Sequence, residues 1–363
     1  MSQTLSKLLP ALLLLATAAT ALAEPASEVE DLRQRLEKLE ARHEEPEGFT
    51  IATGKKILTL SGEVEVNASY TDTVNRAGDS KVTVKTAQIN FDAAVSDRVK
   101  GRIALLHEDG TDPTVNIDEA YVAVTRPETL GGTAKITAGR AYLPFGAFTS
   151  VMVSDPLTLD LGEIRQNAIL SGWENGKVAF QLAAFNGDRD TSSHDVIDNG
   201  VAALTFTPNE QISFGTSYLC DLAETKAKIL ADATAPYEKN VNAASAFLTL
   251  KFAPVTVTVE YLGALREFSQ ALLADPKKSP DLSGGKPRAW FAEVGYAPSK
   301  DWAVSCRYEK AKDFKDDVAR YGATGSYGID VNTTLSLEYL HSDFARATEA
   351  RANLITVQLA VEF

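Results

Sequence analysis

From Ile57 to Phe363 apolar and polar residues alternate with a period of two, and this pattern constrains the fold more tightly than any other feature of the chain. In Leu58–Tyr70 one set of alternate positions reads Leu58, Leu60, Gly62, Val64, Val66, Ala68, Tyr70. The other reads Thr59, Ser61, Glu63, Glu65, Asn67, Ser69. Successive side chains of a strand point to opposite faces, so such a segment has one apolar and one polar wall. Unbroken alternation over this stretch exceeds the about five or six residues of a strand in a soluble domain. It suits a tilted membrane strand of about nine to eleven. The pattern returns in Ala87–Val95, Val178–Phe185, Ile212–Leu219, Ala244–Phe252, Val255–Leu265, Trp290–Tyr296, Trp302–Glu309 and Leu335–His341. At the chain end Ile355, Val357, Leu359, Val361 and Phe363 share one face.

The connections alternate between short and long. Short ones carry turn residues: Ser96-Asp97-Arg98, Asn175-Gly176, Pro208-Asn209-Glu210, Ala253-Pro254, Ala297–Asp301, Ile329–Asn332 and the longer Arg126–Gly132. Long ones are Thr71–Ser80, Asp109–Val115, Pro144–Arg165, Gly187–Asn199, Asp221–Asn240, Arg266–Lys286, Lys312–Val318 and Ser342–Ala350. Eight long and seven short connections predict an all-β fold, a transmembrane antiparallel β-barrel of about 16 strands with its long loops outside. A β-sandwich would also alternate but has no such rhythm. Tyr70, Tyr121, Tyr142, Trp173, Tyr218, Tyr261, Tyr296, Trp302, Tyr308 and Tyr339 fall near strand ends, as interfacial girdles require.

Composition narrows the function. Lys+Arg 36 against Asp+Glu 49 gives a formal charge of −13, which argues against a nucleic-acid partner, whose phosphates need a basic surface. Two cysteines and four scattered histidines offer no metal or cofactor site. Neither G-x-S-x-G nor H-E-x-x-H occurs, so no catalytic residues are assigned and the chain reads as no enzyme. A barrel-embedded hydrolase using His107 or His341, and a structural or adhesive barrel, are the lesser alternatives.

The first residues read as a targeting segment. Lys7, the apolar run Leu8–Ala21 and the small-residue site Ala21-Leu22-Ala23 make residues 1–23 a signal peptide. Residues 24–48 follow as a periplasmic coiled-coil segment, with a heptad seam at Val29, Leu32, Leu36 and Leu39. Such a short seam is marginal alone, so a homo-oligomer, most simply a trimer, is expected. Residues 49–363 form the barrel.

About 16 strands enclose an aqueous lumen. Charges facing mid-bilayer lipid would cost about 2–4 kcal/mol for each Arg or Lys, so the charges of the polar faces must point inward. Lys100, Arg102, Arg140, Glu260, Glu293, Arg307 and Glu338 are the candidate pore-lining residues, and both signs are present. Pro144–Arg165 is the least polar long loop, with Phe145, Phe148, Leu157, Leu159 and Leu161. It either folds inward and narrows the pore, with Asp155, Asp160, Glu163 and Arg165 as the charges there, or packs across a subunit interface or outside. Leu222–Ala233 and Leu265–Ala274 read as helical in part.

Several segments together resemble the siderophore porins of the LbtU family and, more loosely, the phosphate-selective type of porin. They are Val29-Glu30-Asp31-Leu32 through Leu39, Leu60-Ser61-Gly62-Glu63-Val64-Glu65, and Asp118-Glu119-Ala120-Tyr121-Val122. Gly139-Arg140 running into Leu143-Pro144-Phe145-Gly146, Trp173, Phe185-Asn186-Gly187-Asp188 and Phe363 complete the set. The resemblance implies a Gram-negative outer-membrane channel for passive uptake of a small hydrophilic solute, in particular an iron chelate, without a plug. A phosphate- or anion-selective or general diffusion porin is the alternative, weakened by the absence of a basic ladder. It also implies outer-membrane lipid and the barrel-assembly machinery as partners, the latter reading Phe363 as its signal.

Overall fold

The computed structural model describes residues 48–53, 56–74, 76–110, 115–187, 196–227, 229, 240–268, 285–347 and 350–363. The expected signal peptide and the coiled-coil positions Val29, Leu32, Leu36 and Leu39 lie outside these residues. A short strand β1 (Phe49–Thr53) is followed by β2 (Lys56–Thr73), β3 (Arg76–Ala94), β4 (Val99–Glu108), β5 (Asn116–Thr129) and β6 (Gly132–Tyr142). A helix α1 (Leu157–Gly162) interrupts the series before β7 (Arg165–Glu174), β8 (Val178–Phe185), β9 (Asn199–Asn209), β10 (Ile212–Leu219) and β11 (Ala243–Phe252). Then come β12 (Val255–Ala264), β13 (Arg288–Tyr296), β14 (Trp302–Lys312), β15 (Val318–Asp330), β16 (Thr333–Phe344) and β17 (Arg351–Glu362).

Each strand from β2 onward pairs antiparallel with the next, and β17 pairs back onto β2 from Ala352↔Thr73 to Glu362↔Glu63. The result is a closed sixteen-strand barrel, β2 to β17, with no free edge in its wall. Closure runs along β2 from Glu63 to Thr73 and leaves its first residues to another partner. Phe363 and Gly62 exchange backbone hydrogen bonds of 2.9 and 2.7 Å. Below them, β1 occupies the rest of the same edge, from Phe49↔Leu60 to Thr53↔Lys56. Gly62 lets this happen: the Phe363 ring lies where its Cβ would be.

The short turns fall where turn chemistry placed them, except that β5 runs on through Arg126–Thr129 and leaves Leu130-Gly131 as its turn. One long connection does not exist as a loop. Thr71–Ser80 continues the β2–β3 ladder up to Thr73↔Arg76, making these the two longest strands. Lys312–Val318 and Ser342–Ala350 also shorten, because β14 and β16 run further than their apolar alternation. The weakly alternating Arg320–Gly328 is one continuous part of β15. Of the two partly helical loops, Leu222–Glu224 forms a single 3-10 turn, while 225–227 and Leu265–Phe268 are not helical; most of the remainder lies outside the described residues.

Val64, Ile103, Val122, Ile136, Ile169, Leu204, Val259, Leu337 and Val357 are exposed on one face of the wall, an apolar band for lipid. Trp302 stacks on Tyr327 at 4.6 Å, and Phe206 meets Phe214 at 5.4 Å, at the short-turn end. Trp290 meets Tyr308 at 5.5 Å, and Tyr321 meets His341 at 4.9 Å, towards the long-loop end. Tyr121 and Tyr142 depart from the girdle expectation: Tyr121 lines a cavity on the inner wall, and Tyr142 donates to the buried Asp118 at 3.0 Å.

Tags inserted in 221–240 or 266–286 are expected to be reachable on intact cells, and tags at Asn175-Gly176 to be protected. Surface labelling of the short turns would invert this topology.

Candidate functional site

Inside the barrel, the face opposite the apolar band carries a set of carboxylates that would be stranded without partners. On β12 to β16 these are Glu260, Glu293, Glu309 and Glu338, with Arg307 among them, and all five are buried. Their cover is the connection between β6 and β7, residues 143–164. The loop fastens to the wall through its own backbone. Glu260 accepts from the Ala147 and Phe148 N–H groups at 2.6 and 3.0 Å and from the Thr158 hydroxyl at 3.0 Å. Glu293 accepts from the Ser150 hydroxyl at 2.7 Å and the Val151 N–H at 2.8 Å. Glu338 accepts from the Ser154 N–H at 3.1 Å and from Thr324 of its own wall at 2.7 Å.

Arg307 works from the other side, donating to the Ser150 hydroxyl at 2.8 Å, the Ser154 carbonyl at 2.8 Å and the Asp155 carbonyl at 3.2 Å. It is also ion-paired with Glu293 at 3.5 Å and Glu309 at 3.4 Å. The six-residue helix α1 begins after Pro156, which supplies no side-chain cap. Glu309 takes that role from the wall, accepting the Leu157 N–H at 2.7 Å. Charge-assisted bonds of this kind are about twice as strong as neutral ones, and here they are out of water.

The apolar side of the loop explains its composition. Leu143, Phe145, Leu157, Leu161 and Ile164 pack with Leu262, Ala289, Ala311, Phe314, Leu219 and Leu222 into the hydrophobic cluster of the molecule. Each large side chain buried this way contributes about 1.5–3 kcal/mol. Gly295 and Gly322, on the inner wall, leave room for Val151 and Met152 of the loop. Of the alternatives open at the sequence level, the loop therefore takes the inward one.

The wall residues expected to line open water divide into three groups. Glu260, Glu293, Arg307 and Glu338 face inward as expected, but the loop seals them, so they are its anchors and do not line the open passage. The alternation shows which face a residue takes, not what covers it. Lys100 and Arg102 do line open space, a cavity of ≈ 310 Å³ that also includes Asp92, Tyr121, Lys135 and Gln181. There Arg102 pairs with Asp92 at 3.0 Å and Glu119 at 2.8 Å. Lys100 and Lys135 have no ion pair among the described residues. Arg140 follows Gly139, whose φ of +134° twists the strand, and its Nε is buried without a partner among the described residues.

On the loop itself, Asp160 pairs with Lys315 at 2.6 Å and Arg320 at 3.6 Å. Glu163 pairs with Lys226 at 2.5 Å, and Arg165, just past the loop at the start of β7, with Asp118. The exposed Asp155 carboxylate has no ion pair among the described residues, and Lys85 and Glu108 on β3 and β4 contribute to the field it feels. Of the loop carboxylates, Asp155 is thus the one without an ion pair among the described residues, and it lies towards β3 and β4. Burial pushes the Glu163 carboxyl above the usual carboxylate range, against the opposing pull of Lys226, with Glu108 and Asp155 adding to the rise. Glu309, Arg320 and Lys226 were not singled out in the sequence. Glu309 was findable, since it lies two residues beyond Arg307 on the same face of β14.

A closed sixteen-strand wall with a loop pinned across its interior is the architecture of a channel. The Gram-negative porin family model matches residues 11–347 of the chain. The chain belongs to the Gram-negative porin family. It resembles a UPF0422 protein of Coxiella burnetii, with 24% identity over 308 residues, 78% of this chain and 64% of that protein. The chain spans less than two thirds of that relative's length. Among solved structures it resembles the outer membrane channel DcaP of Acinetobacter baumannii, with a TM-score of 0.64 and 15% identity. That likeness covers 87% of this chain and 99% of the other. A trimer form of OmpT from Vibrio cholerae superposes with a TM-score of 0.55 at 12% identity, covering 85% and 99% of the two chains. At these identities the structural likeness speaks for the fold. Family and fold together make this chain an outer-membrane barrel of the porin type.

Proposed function

We propose that this porin is a passive diffusion channel for small hydrophilic solutes, narrowed by residues 143–164. The observation that carries this reading is the fastening of that loop to Glu260, Glu293, Arg307 and Glu338 on the inner wall. A loop so held leaves a lasting constriction in place of a plug. Asp155, Asp160 and Glu163 are its charges on the loop side, towards Lys85 and Glu108 of β3 and β4, while Arg165 at the start of β7 stands on the same wall as Arg140, and Lys100 and Arg102 line the open cavity on β4. The resemblance to siderophore porins makes a ferric chelate the solute of first choice, taken up without energy coupling. A general diffusion porin needs only the same geometry. An anion preference is the second reading, favoured by unpaired Lys100 and Lys135 in the open cavity.

Three copies side by side, joined through Val29, Leu32, Leu36 and Leu39, form the assembly in this reading, with Phe363 as the end recognised during membrane assembly. Serine at Leu32, Leu36 and Leu39 is expected to lower the oligomer mass in detergent and leave the barrel folded. An unchanged mass would remove the coiled coil from the proposal.

Planar-bilayer recording tests the channel directly. Steady ion current with a selectivity that changes on Asp155→Lys is expected. A purified, folded barrel without steady current would overturn the reading. Glu163 adds a pH dependence. Because its carboxyl is held above the ordinary value of about 4.3, it takes up a proton earlier than a free carboxylate as pH falls. Cation preference should therefore drop on acidification with a midpoint above that value, and Glu163→Gln should remove this component. Reversal potentials in a salt gradient measure it.

A further inference from the structure

The open cavity beside Lys100 and Lys135 runs on beneath the start of the loop. Register traces its path. On the inner face Lys135 of β6 is opposite Gly172 of β7, Gly172 is opposite Gln181 of β8, and Gln181 is opposite Ala203 of β9. The next inward row passes from Ala179 on β8 through Thr205 and Gly215 to Phe247 on β11. Their neighbours along the strands, Ile136, Phe180, Leu204 and Leu248, are exposed on the lipid face. Ala179 and Gln181 line both the ≈ 310 Å³ cavity and a second one of ≈ 200 Å³, so the two meet along β8 as one groove.

The two ends of the groove differ in chemistry. At one end Lys100 and Lys135 have no ion pair among the described residues, while Arg102 is engaged by Asp92 and Glu119. Glu174 is exposed in the same cavity, diagonal to Lys135 and about 7–8 Å from it, where it opposes a second negative charge. At the other end the floor is made of Ala179, Ala203 and Thr205, and the Phe247 ring lies where a Gly215 side chain would be. Pro144 and Ala147 of the loop form the facing side. That side is held in place, because the Gly146 N–H donates to the Ser217 hydroxyl at 3.0 Å and the Ala147 N–H to Glu260 at 2.6 Å. From β6 to β11 the wall measures about 24 Å at about 4.8 Å per strand, so a head group alone cannot reach from the lysines to the ring.

Taking the lumen as the solute path, as the channel reading does, we infer that this groove is a binding site for an amphiphilic monocarboxylate, with its carboxylate between Lys100 and Lys135 and its apolar tail under the loop against Phe247. Two unpaired ammoniums supply charge-assisted hydrogen bonds for one carboxylate, and Glu174 beside them disfavours a dicarboxylate. The tail is selected by the area it removes from water, since each buried methylene tightens binding about fourfold. The narrow floor of alanines admits a flat ring or an unbranched chain.

The purified full-length protein in neutral detergent is titrated calorimetrically with 4-phenylbutyrate, acetate, succinate and the uncharged 4-phenylbutanol. The half-saturating concentration of 4-phenylbutyrate is expected to be at least tenfold below those of the other three. Lys100→Gln/Lys135→Gln should raise it at least tenfold. Ala203→Leu and Thr205→Leu, which fill the slot, should each bring 4-phenylbutyrate to the level of acetate and leave acetate itself unchanged. Each variant is first checked as a folded, heat-modifiable band, so one that folds is enough. Succinate or 4-phenylbutanol binding as tightly as 4-phenylbutyrate overturns the inference, as does unchanged 4-phenylbutyrate binding in a folded slot variant. Planar-bilayer current in potassium chloride separates the two readings. Steady current without the tail preference overturns the monocarboxylate site alone, and the tail preference without steady current overturns the channel alone.

Discussion

Arg307→Ala is expected to raise single-channel conductance and make it noisy, and to lower the stability of the folded barrel. The guanidinium is fully enclosed, bonded to the loop at Ser150, Ser154 and Asp155 and to Glu293 and Glu309 on the wall. Removing it unfastens the middle of residues 143–164 and leaves the buried Glu293 without its cation, while Glu309 keeps Arg320 at 2.8 Å. Breaking one partner out of a buried ion pair costs about 3–5 kcal/mol, because the remaining charge has no water to turn to. The loop can escape this cost by leaving the wall, which is why the pore should widen and fluctuate. Arg307→Lys should give an intermediate result, since one ammonium cannot reach all the acceptors of a forked guanidinium. Single-channel recording and the temperature at which the folded band disappears on a gel measure both effects. Wild-type conductance in Arg307→Ala would show that the hydrophobic cluster alone holds the loop.

Phe363→Ser is expected to reduce the folded, heat-modifiable protein in the outer membrane several-fold while leaving the conductance of the folded fraction unchanged. The residue closes the ladder against Gly62, with its ring over the glycine and its side chain on the lipid face. Serine keeps both backbone bonds but removes the ring contact and the apolar terminal group. Normal outer-membrane levels of the variant would count against Phe363 as an assembly signal. A changed conductance would mean that the end of β17 reaches into the lumen.

Much of this fold is legible in the sequence because a membrane barrel writes its period into every strand. Lipid requires one face to be apolar and water requires the other to be polar, so Leu58–Tyr70 or Ile355–Phe363 could be oriented from alternation alone. Turn chemistry at Asn175-Gly176 and Ala253-Pro254 then set the count. The errors arose where hydrogen bonding outlasts the apolar pattern. Thr71–Ser80 looks like a polar loop, yet its backbone continues the ladder beyond the bilayer, where no apolar face is needed. The anchoring of residues 143–164 was beyond sequence reasoning for a different reason. The apolar residues of the loop announced that it must pack, but Ala147 and Glu260 are far apart in the chain, and only closure of the barrel brings them together. Period two told which way Glu260 and Arg307 point. It could not tell that they meet backbone N–H and carbonyl groups of a loop before they meet solute.

The meeting of β1, β17 and β2 has a consequence for how the chain could be cut. Phe49 stands opposite Leu60 and Phe363 bonds Gly62, so the two ends of the barrel lie a few residues apart along one strand, about 7 Å at the usual rise. The ring of hydrogen bonds does not depend on which of its connections is covalent. A short linker from Phe363 to Gly48, with new termini opened within the loop between β12 and β13, should therefore still give a closed wall. Such a circular permutant would form the same barrel with its ends on the outer surface.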